Sequence, residues 1–152
     1  MGSVVSVCIS EKKGTAKHPV PEIILRVGHG IDGDAHAGNW HRQISLLAVE
    51  SVEPMRKLIP DLPIGAFAEN ILTEGIALKS LPVGTVLQAG EALLAVTQIG
   101  KECHADCAIR KAVGDCVMPR EGIFAIVLQG GVLRPGDSIE VISFPLKNIQ
   151  KG

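Results

Sequence analysis

The chain has 152 residues, a length that suits one domain with its own core. Hydrophobic residues make up 46% and mean hydropathy is +0.29, yet no apolar run approaches the length of a membrane-spanning helix. A net charge of −1 and an aromatic content of 3%, with no Tyr, leave neither the long-range field nor the stacking platforms of a nucleic-acid binder.

Gly and Pro punctuate short apolar segments along the whole chain, the pattern of a β-rich domain. Residues 4–9 read as a strand, 11–18 as a polar loop and 21–27 as a second strand. Residues 28–39, with four Gly, two Asp and two His, read as a long loop. Residues 43–49 form an apolar run suited to a buried strand. Residues 50–59 place Val52, Met55, Leu58 and Ile59 at helical spacing, and Pro60 and Pro63 stop that helix. Strands are expected over 67–73, 85–89, 92–99, 123–128 and 138–144. One or two helical turns are expected over 107–113, and a turn at Gly130-Gly131. Arg134-Pro135-Gly136-Asp137 has Pro and Gly where a type II turn requires them. Many short strands with few helices predict a mainly β fold, a closed or partly closed antiparallel barrel without exposed edges. Residues 1–146 are expected to form this one domain, with 147–152 as a loose tail.

Three of the four Cys fall close together, in Gly100-Lys101-Glu102-Cys103-His104-Ala105-Asp106-Cys107 and at Cys116. Thiolates are soft metal ligands, nucleophiles and sulfur carriers, and cationic neighbours favour the thiolate. Cys103 follows a Gly and is flanked by Lys, Glu and His, which is no core-strand environment. Cys8, inside the apolar 4–9 run, reads as a small core hydrophobe. The N-terminus has no basic segment followed by an apolar stretch, so no signal peptide is expected. Clustered thiols without such a signal point to a reducing cytoplasm.

Other polar residues gather in predicted loops. Lys12, Lys13 and Lys17, beside Ser10, Gly14 and Thr15, either hold a phosphate or form a solvated loop; the spacing is not that of a P-loop. Asp32, Asp34 and His36 alternate, so in an extended segment they share one face. There they either bind a divalent metal or buttress the loop. Arg42, in His41-Arg42-Gln43, either clamps a phosphate or carboxylate or makes a rim salt bridge. Glu69 and Asn70 lie between apolar residues and need partners if buried. Asn70 either donates to a heterocycle or satisfies a turn.

Taken in order, these segments resemble the MOSC domain, named for the C-terminal part of the eukaryotic molybdenum cofactor sulfurase. The resemblance rests on Lys17-His18-Pro19-Val20, Gly30-Ile31-Asp32-Gly33-Asp34-Ala35-His36 and His41-Arg42-Gln43-Ile44-Ser45-Leu46-Leu47. It continues through Gly65-Ala66-Phe67-Ala68-Glu69-Asn70-Ile71, Gly122-Ile123-Phe124-Ala125 and residues 130–137. It runs over about residues 4–142 and is to the short, stand-alone bacterial type. It implies a β-barrel and a role around the molybdenum cofactor, either binding the pterin or carrying sulfur. In the related amidoxime-reducing enzymes a Cys ligates molybdenum, and Cys103 occupies the corresponding place. Cys107 and Cys116 are thiols that the broader pattern does not require, and Lys101 stands where an Arg is usual.

On this resemblance Cys103, as thiolate, ligates molybdenum or holds a persulfide. Lys17, Arg42 and Lys101 neutralise the cofactor phosphate and pterin oxygens. Glu69 and Asn70 meet the pterin edge, and Asp34, His36 and His41 shape the pocket or move protons. No G-x-G-x-x-G follows a strand, so a reductase of N-hydroxylated compounds would need an external electron donor. A cofactor-biosynthesis protein is the other partner implied. Two different readings stay open: a Cys₃His zinc site of Cys103, His104, Cys107 and Cys116 that stabilises a binding domain, and a thiol redox sensor.

Overall fold

The computed structural model describes residues 2–12, 16–58, 60–61, 63–100 and 122–145. In chain order the strands are β1 (Gly2–Ile9), β2 (His18–Val20), β3 (Ile23–Arg26), β4 (Gly30–Ile31), β5 (Ile44–Ala48), β6 (Ile71–Glu74), β7 (Val86–Ala89), β8 (Ala92–Ile99), β9 (Ile123–Gln129), β10 (Gly131–Leu133) and β11 (Ser138–Ser143). Helix α1 (Val49–Leu58) joins β5 to β6, and a 3₁₀ turn (Leu78–Ser80) precedes β7. No described helix is long and apolar enough to cross a membrane.

Eight strands form one sheet in the order β11-β7-β8-β9-β5-β6-β1-β2, and β1 pairs again with β11. The sheet therefore closes into a barrel, with β2 left outside the ring. Closure satisfies the backbone of strands that would otherwise present open edges. Leu25, Ile31, Ile44, Leu46, Ile71, Leu87, Leu94 and Ile123 are among the fully buried side chains of the single apolar core. β5 is buried at all five positions, because the barrel interior takes one face and α1 packs near the other.

The barrel is not wholly antiparallel. β5 and β6 run parallel, Leu46 opposite Ile71 and Ala48 opposite Thr73. The cause is α1: a helix between consecutive neighbouring strands returns the chain to the end where it started, so the second strand must run the same way. Val52 and Met55 are the buried residues of α1, as their spacing predicts, while Leu58 is exposed. Ile59 lies outside the described residues.

Other predicted elements shift where turn chemistry intervenes. The strand expected over 67–73 begins only at Ile71. Gly65 and Ala68 take φ values of +89° and +62°, and the Ala68 N–H donates to Gly65 O at 2.9 Å, so residues 65–68 form a turn. The loop expected over 28–39 contains β4, which pairs with β3 in a small sheet ordered β10-β3-β4. Gly131 opens β10 instead of ending a turn. The turn at Arg134 forms as expected: the Asp137 N–H donates to Arg134 O at 3.1 Å and Gly136 has a φ of +96°. The helical turns expected over 107–113 and the tail at 147–152 lie outside the described residues.

The register of the ladders brings three strand ends to one rim. β1 runs antiparallel to β6 with Val7 opposite Ile71, and β5 runs parallel to β6 with Leu46 opposite Ile71. The end of β1 and the starts of β5 and β6, with Ser10, Arg42, Gln43 and Asn70 just beyond them, therefore lie at the same end. β9 runs antiparallel to β5, and β8 joins this rim through side chains, Thr97 and Gln98 meeting His41 and Arg42. The Gly100 N–H donates to Gly122 O at 2.7 Å, so the chain leaves β8 and returns to β9 at one point.

Gly65 shows how closely the backbone packs there. Its carbonyl accepts the Lys17 N–H at 2.9 Å, and a Cβ would lie 2.1 Å from Lys17 O. With a positive φ as well, Gly65→Ala is expected to destabilise the protein by roughly 3 kcal/mol, read as a lower urea midpoint at unchanged slope.

Candidate functional site

At the rim the end of β1, the start of β2 and the 28–39 loop meet around one buried ammonium. Lys17 Nζ lies 2.7 Å from Asp34 Oδ1, and both side chains are fully buried. Nζ also lies 3.2 Å from Ser10 Oγ and 3.0 Å from His36 Nδ1. Ser10 Oγ donates its own hydrogen to Lys12 O, so toward Lys17 it accepts. The three N–H bonds of the ammonium are thus all committed. Asp34 is equally engaged. Oδ1 also accepts the Ser10 N–H at 3.1 Å, and Oδ2 accepts the His36 N–H at 3.2 Å.

From this pair a polar chain runs along the rim. The Trp40 indole N–H donates to His36 O at 2.8 Å, and Trp40 meets the His41 ring edge-on at 5.7 Å. His41 Nε2 lies 3.0 Å from Gln98 Oε1, and Arg42 Nε donates to the same oxygen at 3.1 Å. Gln98 Nε2 donates to Gly100 O at 2.7 Å, which fixes the amide's orientation and makes His41 Nε2 a donor. The Thr97 hydroxyl donates to His41 O. Arg42 also lies over the Phe124 ring at 5.2 Å. Among the described residues no carboxylate neutralises this guanidinium; its hydrogen-bond partner is the neutral Gln98.

Behind the rim, Glu69 and Asn70 are 2% and 1% exposed. Glu69 Oε2 accepts the Gly65 N–H at 2.8 Å and Oε1 the Phe67 N–H at 3.1 Å. Asn70 Oδ1 accepts from Ser45 N–H at 3.0 Å, and Asn70 Nδ2 donates to Cys8 O at 3.0 Å. The amide thereby ties β5 to β1. Gln43 Oε1 likewise accepts the Val127 N–H at 3.0 Å. Burial lifts the Glu69 carboxyl above the ordinary glutamate value, against the N–H groups it accepts from and the charge of Arg56. Burial, helped by the charge of Glu69, pushes the Cys8 thiol up to about 12, so Cys8 is an inert core residue as its strand suggested.

The chain matches the model of the MOSC domain over residues 32–140. It belongs to the MOSC domain family. This family is linked to molybdenum cofactor binding and handling. No curated protein sequence matches the chain. Among solved structures it is similar to the YuaD protein of Bacillus subtilis, at 22% identity and a TM-score of 0.74, over 95% of this chain and 98% of that one. It is also similar to YiiM of Geobacillus stearothermophilus, at 22% identity and a TM-score of 0.72, over 94% of this chain and 76% of that one. YiiM of Escherichia coli gives 22% identity and a TM-score of 0.69, over 95% of this chain and 71% of that one. These likenesses carry the barrel fold.

Within this MOSC barrel, Lys17, Asp34, His36, His41 and Arg42 come together at one rim from two loops. Glu69 and Asn70 sit behind them, bonded to backbone. Cys103, Cys107, Cys116, His104 and Lys101 lie outside the described residues. The Asp32, Asp34 and His36 alternation does not make one face. The Asp34 N–H donates to Ile31 O at 3.1 Å and the Ala37 N–H to Asp34 O at 3.1 Å, so the segment turns. Asp34 goes inward to Lys17, while Asp32 pairs with Arg26 at 2.6 Å. Among the described residues no three His, Cys, Asp or Glu side chains converge on a metal position. Sequence reasoning missed Gln98, Phe124 and Trp40. The signal for Gln98 was present: a polar amide closing the apolar strand that runs into Gly100. A depression of about 350 Å³, lined by Glu50, Ser51, Ile76 and Lys79 among others, opens at the opposite end of the barrel.

Two outcomes follow from the buried charges. Lys17→Met leaves Asp34 without its cation and is expected to cost about 3–5 kcal/mol, whereas Lys17→Met with Asp34→Asn costs much less, in a double-mutant cycle of urea melts. Glu69, its carboxyl value raised on folding, binds more protons folded than unfolded. Its contribution to stability is therefore full below the ordinary carboxylate range and is lost as pH rises through the raised value. The stability difference between wild type and Glu69→Gln should shrink over that interval and be flat above it.

Proposed function

We propose that the rim around Arg42, His41 and Gln98 holds the anionic pterin cofactor and that the chain handles sulfur there through Cys103. The observation that carries this reading is Arg42: a partly buried guanidinium with no carboxylate neighbour among the described residues, held by Gln98 and Phe124. A partly buried guanidinium without a carboxylate partner is suited to meet an anion, and its planar fork matches a phosphate. The donor set fits that group. His41 and Arg42 share the Gln98 oxygen, so Gln98 fixes the direction of both. Lys17 contributes indirectly, since its ammonium is already saturated by Ser10, Asp34 and His36. Glu69 and Asn70 hold the wall behind the site. When bound, the molybdenum cofactor supplies a metal carried on dithiolene sulfurs, soft enough for a thiolate neighbour.

Cys103 follows Gly100 by three residues in the sequence, and that nearness along the chain supports giving it the sulfur role. As thiolate it attacks the outer sulfur of a persulfide donor. The donor's inner sulfur leaves as thiolate, and Cys103 keeps the transferred sulfur. Lys101 is the nearest cation in sequence to favour the ionised thiol. The donor is a partner protein or small persulfide.

The test is purification from a cofactor-sufficient host followed by acid oxidation, which releases a fluorescent pterin. Arg42→Ala is expected to retain about tenfold less pterin, the scale of one charge-assisted contact, with a stability change below about 1 kcal/mol. Equal retention removes Arg42 from the site. Persulfide labelling is expected at Cys103 and lost in Cys103→Ser; labelling confined to Cys107 or Cys116 moves the sulfur role to another thiol.

A further inference from the structure

We infer that Gln98 is a positioning residue that holds His41 as a proton acceptor beside the Arg42 cation, so that the rim takes an oxyanion that still carries a hydrogen, a hydrogen phosphate group. The starting point is a bulge. β8 and β9 pair Val96 with Ala125 and Gln98 with Phe124, so Thr97 is an extra residue in the ladder. Successive strand residues ordinarily point to opposite faces, and a bulge re-aims them. Here Thr97 and Gln98 both reach residues 41–42. The Thr97 hydroxyl donates to His41 O, while Gln98 meets the His41 ring and Arg42. The main chain and the ring of His41 are thus held by consecutive residues of one strand.

Arg42 decides the hydrogen positions. A guanidinium has donors only, so Arg42 Nε, 3.1 Å away, requires the Gln98 oxygen to face it. The reversed amide would set donor against donor at Arg42. It would also set acceptor against acceptor at Gly100 O, which takes the Gln98 N–H at 2.7 Å. With the oxygen fixed, His41 Nε2 at 3.0 Å must donate to it. In the neutral ring Nδ1 then carries a lone pair. Residue 41 is exposed, and its ring meets Gln98 at Nε2 and the edge of Trp40. Among the described residues no carboxylate pairs with it. Because Nε2 points at Gln98, Nδ1 lies on the side of the ring turned away from Gln98. Arg42 uses Nε on Gln98, which leaves its two Nη groups for a ligand. A ligand there meets a cationic fork and, next to it, an acceptor. An acceptor repels a bare oxyanion oxygen and binds one that bears a hydrogen.

This inference rests on the reading of the rim as an anion site, but the tautomer follows from Arg42 and Gln98 alone. The test uses the full chain at pH 8, where inorganic phosphate is a dianion with one O–H and sulfate a dianion of the same shape with none. With histidine labelled by ¹⁵N, His41 is expected as the Nε2-protonated neutral ring; an Nδ1-protonated or doubly protonated ring overturns the part assigned to Gln98. Calorimetry is expected to show phosphate binding about tenfold tighter than sulfate, the scale of one hydrogen bond, and phosphate alone should move the Nδ1 resonance. Equal affinities, a preference for sulfate, or binding of neither ion overturns the inference. His41→Phe keeps a ring without the acceptor and should bring the two ions to within about twofold of each other; an unchanged preference overturns the role of His41. Gln98→Met removes the shared oxygen and should reveal both His41 tautomers; a single tautomer with an unchanged preference overturns the role of Gln98. Preparations that carry pterin and no longer respond to phosphate identify the cofactor's phosphate as the group bound, whereas a full response identifies free phosphate. Absence of pterin from every preparation, with phosphate still preferred over sulfate, would sink the cofactor reading and leave this inference standing. Retained pterin with no preference between the ions would do the reverse.

Discussion

A single buried ion pair organises the rim of this barrel. Lys17 and Asp34 have no access to water, so each depends on the other for its charge. Such a pair adds little net stability over an apolar substitute, because desolvation offsets most of the attraction. What it supplies is direction. Three fixed donors on Lys17 and two fixed acceptors on Asp34 join Ser10, His36 and the backbone of two loops. Loops that would otherwise fold independently over the barrel end are placed relative to one another by this pair. The cost of an unpaired charge in the interior makes any other arrangement expensive.

The barrel beneath performs the complementary task of collecting strand ends. Its registers put Ile9, Ile44 and Asn70 at one end, where Thr97 and Gln98 of β8 meet His41 and Arg42. The parallel β5–β6 pair matters here. With α1 carrying the chain back, both strands begin at the rim, so Arg42 enters from one and Asn70 from the other. A purely antiparallel hairpin would have put one of them at the far end. The buried amides of Asn70 and Gln43 then stitch adjacent strands below the rim, and Arg42 beside them has Gln98, not a carboxylate, as its hydrogen-bond partner among the described residues. Membership in the MOSC family and an unneutralised guanidinium point the same way. One is a statement about ancestry, the other about local electrostatics.

The thiol segment and the rim are linked by chain connectivity. β8 ends at Ile99 and β9 begins at Ile123, and their flanking glycines are hydrogen-bonded. The clustered cysteines fall between these two glycines in the sequence, and Gln98, which holds Arg42, also donates to Gly100 O. Cys8, the remaining thiol, is removed from chemistry by its burial in β1.

Much was legible without coordinates. The Gly and Pro punctuation, the apolar runs at 4–9, 92–99 and 123–128 and the Arg134-Pro135-Gly136-Asp137 turn are local signals, and each corresponds to an element in place. They are local because strand propensity and turn geometry depend on a few neighbouring residues. The order of motifs, from Lys17 to Gly122, was sufficient for the MOSC resemblance. What only the tertiary structure decided was who partners whom. Lys17 read as a solvated cation or phosphate ligand, yet it is sealed against Asp34. Asp32 and Asp34 looked like neighbours on one face, yet a turn separates them. Glu69 and Asn70 read as ligand contacts or turn residues, and they bind backbone. Gln98 looked unremarkable until it met Arg42 and His41 across 56 and 57 residues of chain. A side chain's charge and hydrogen-bonding capacity are written in its own letter, but what consumes that capacity is set by distant segments brought together when the sheet closes.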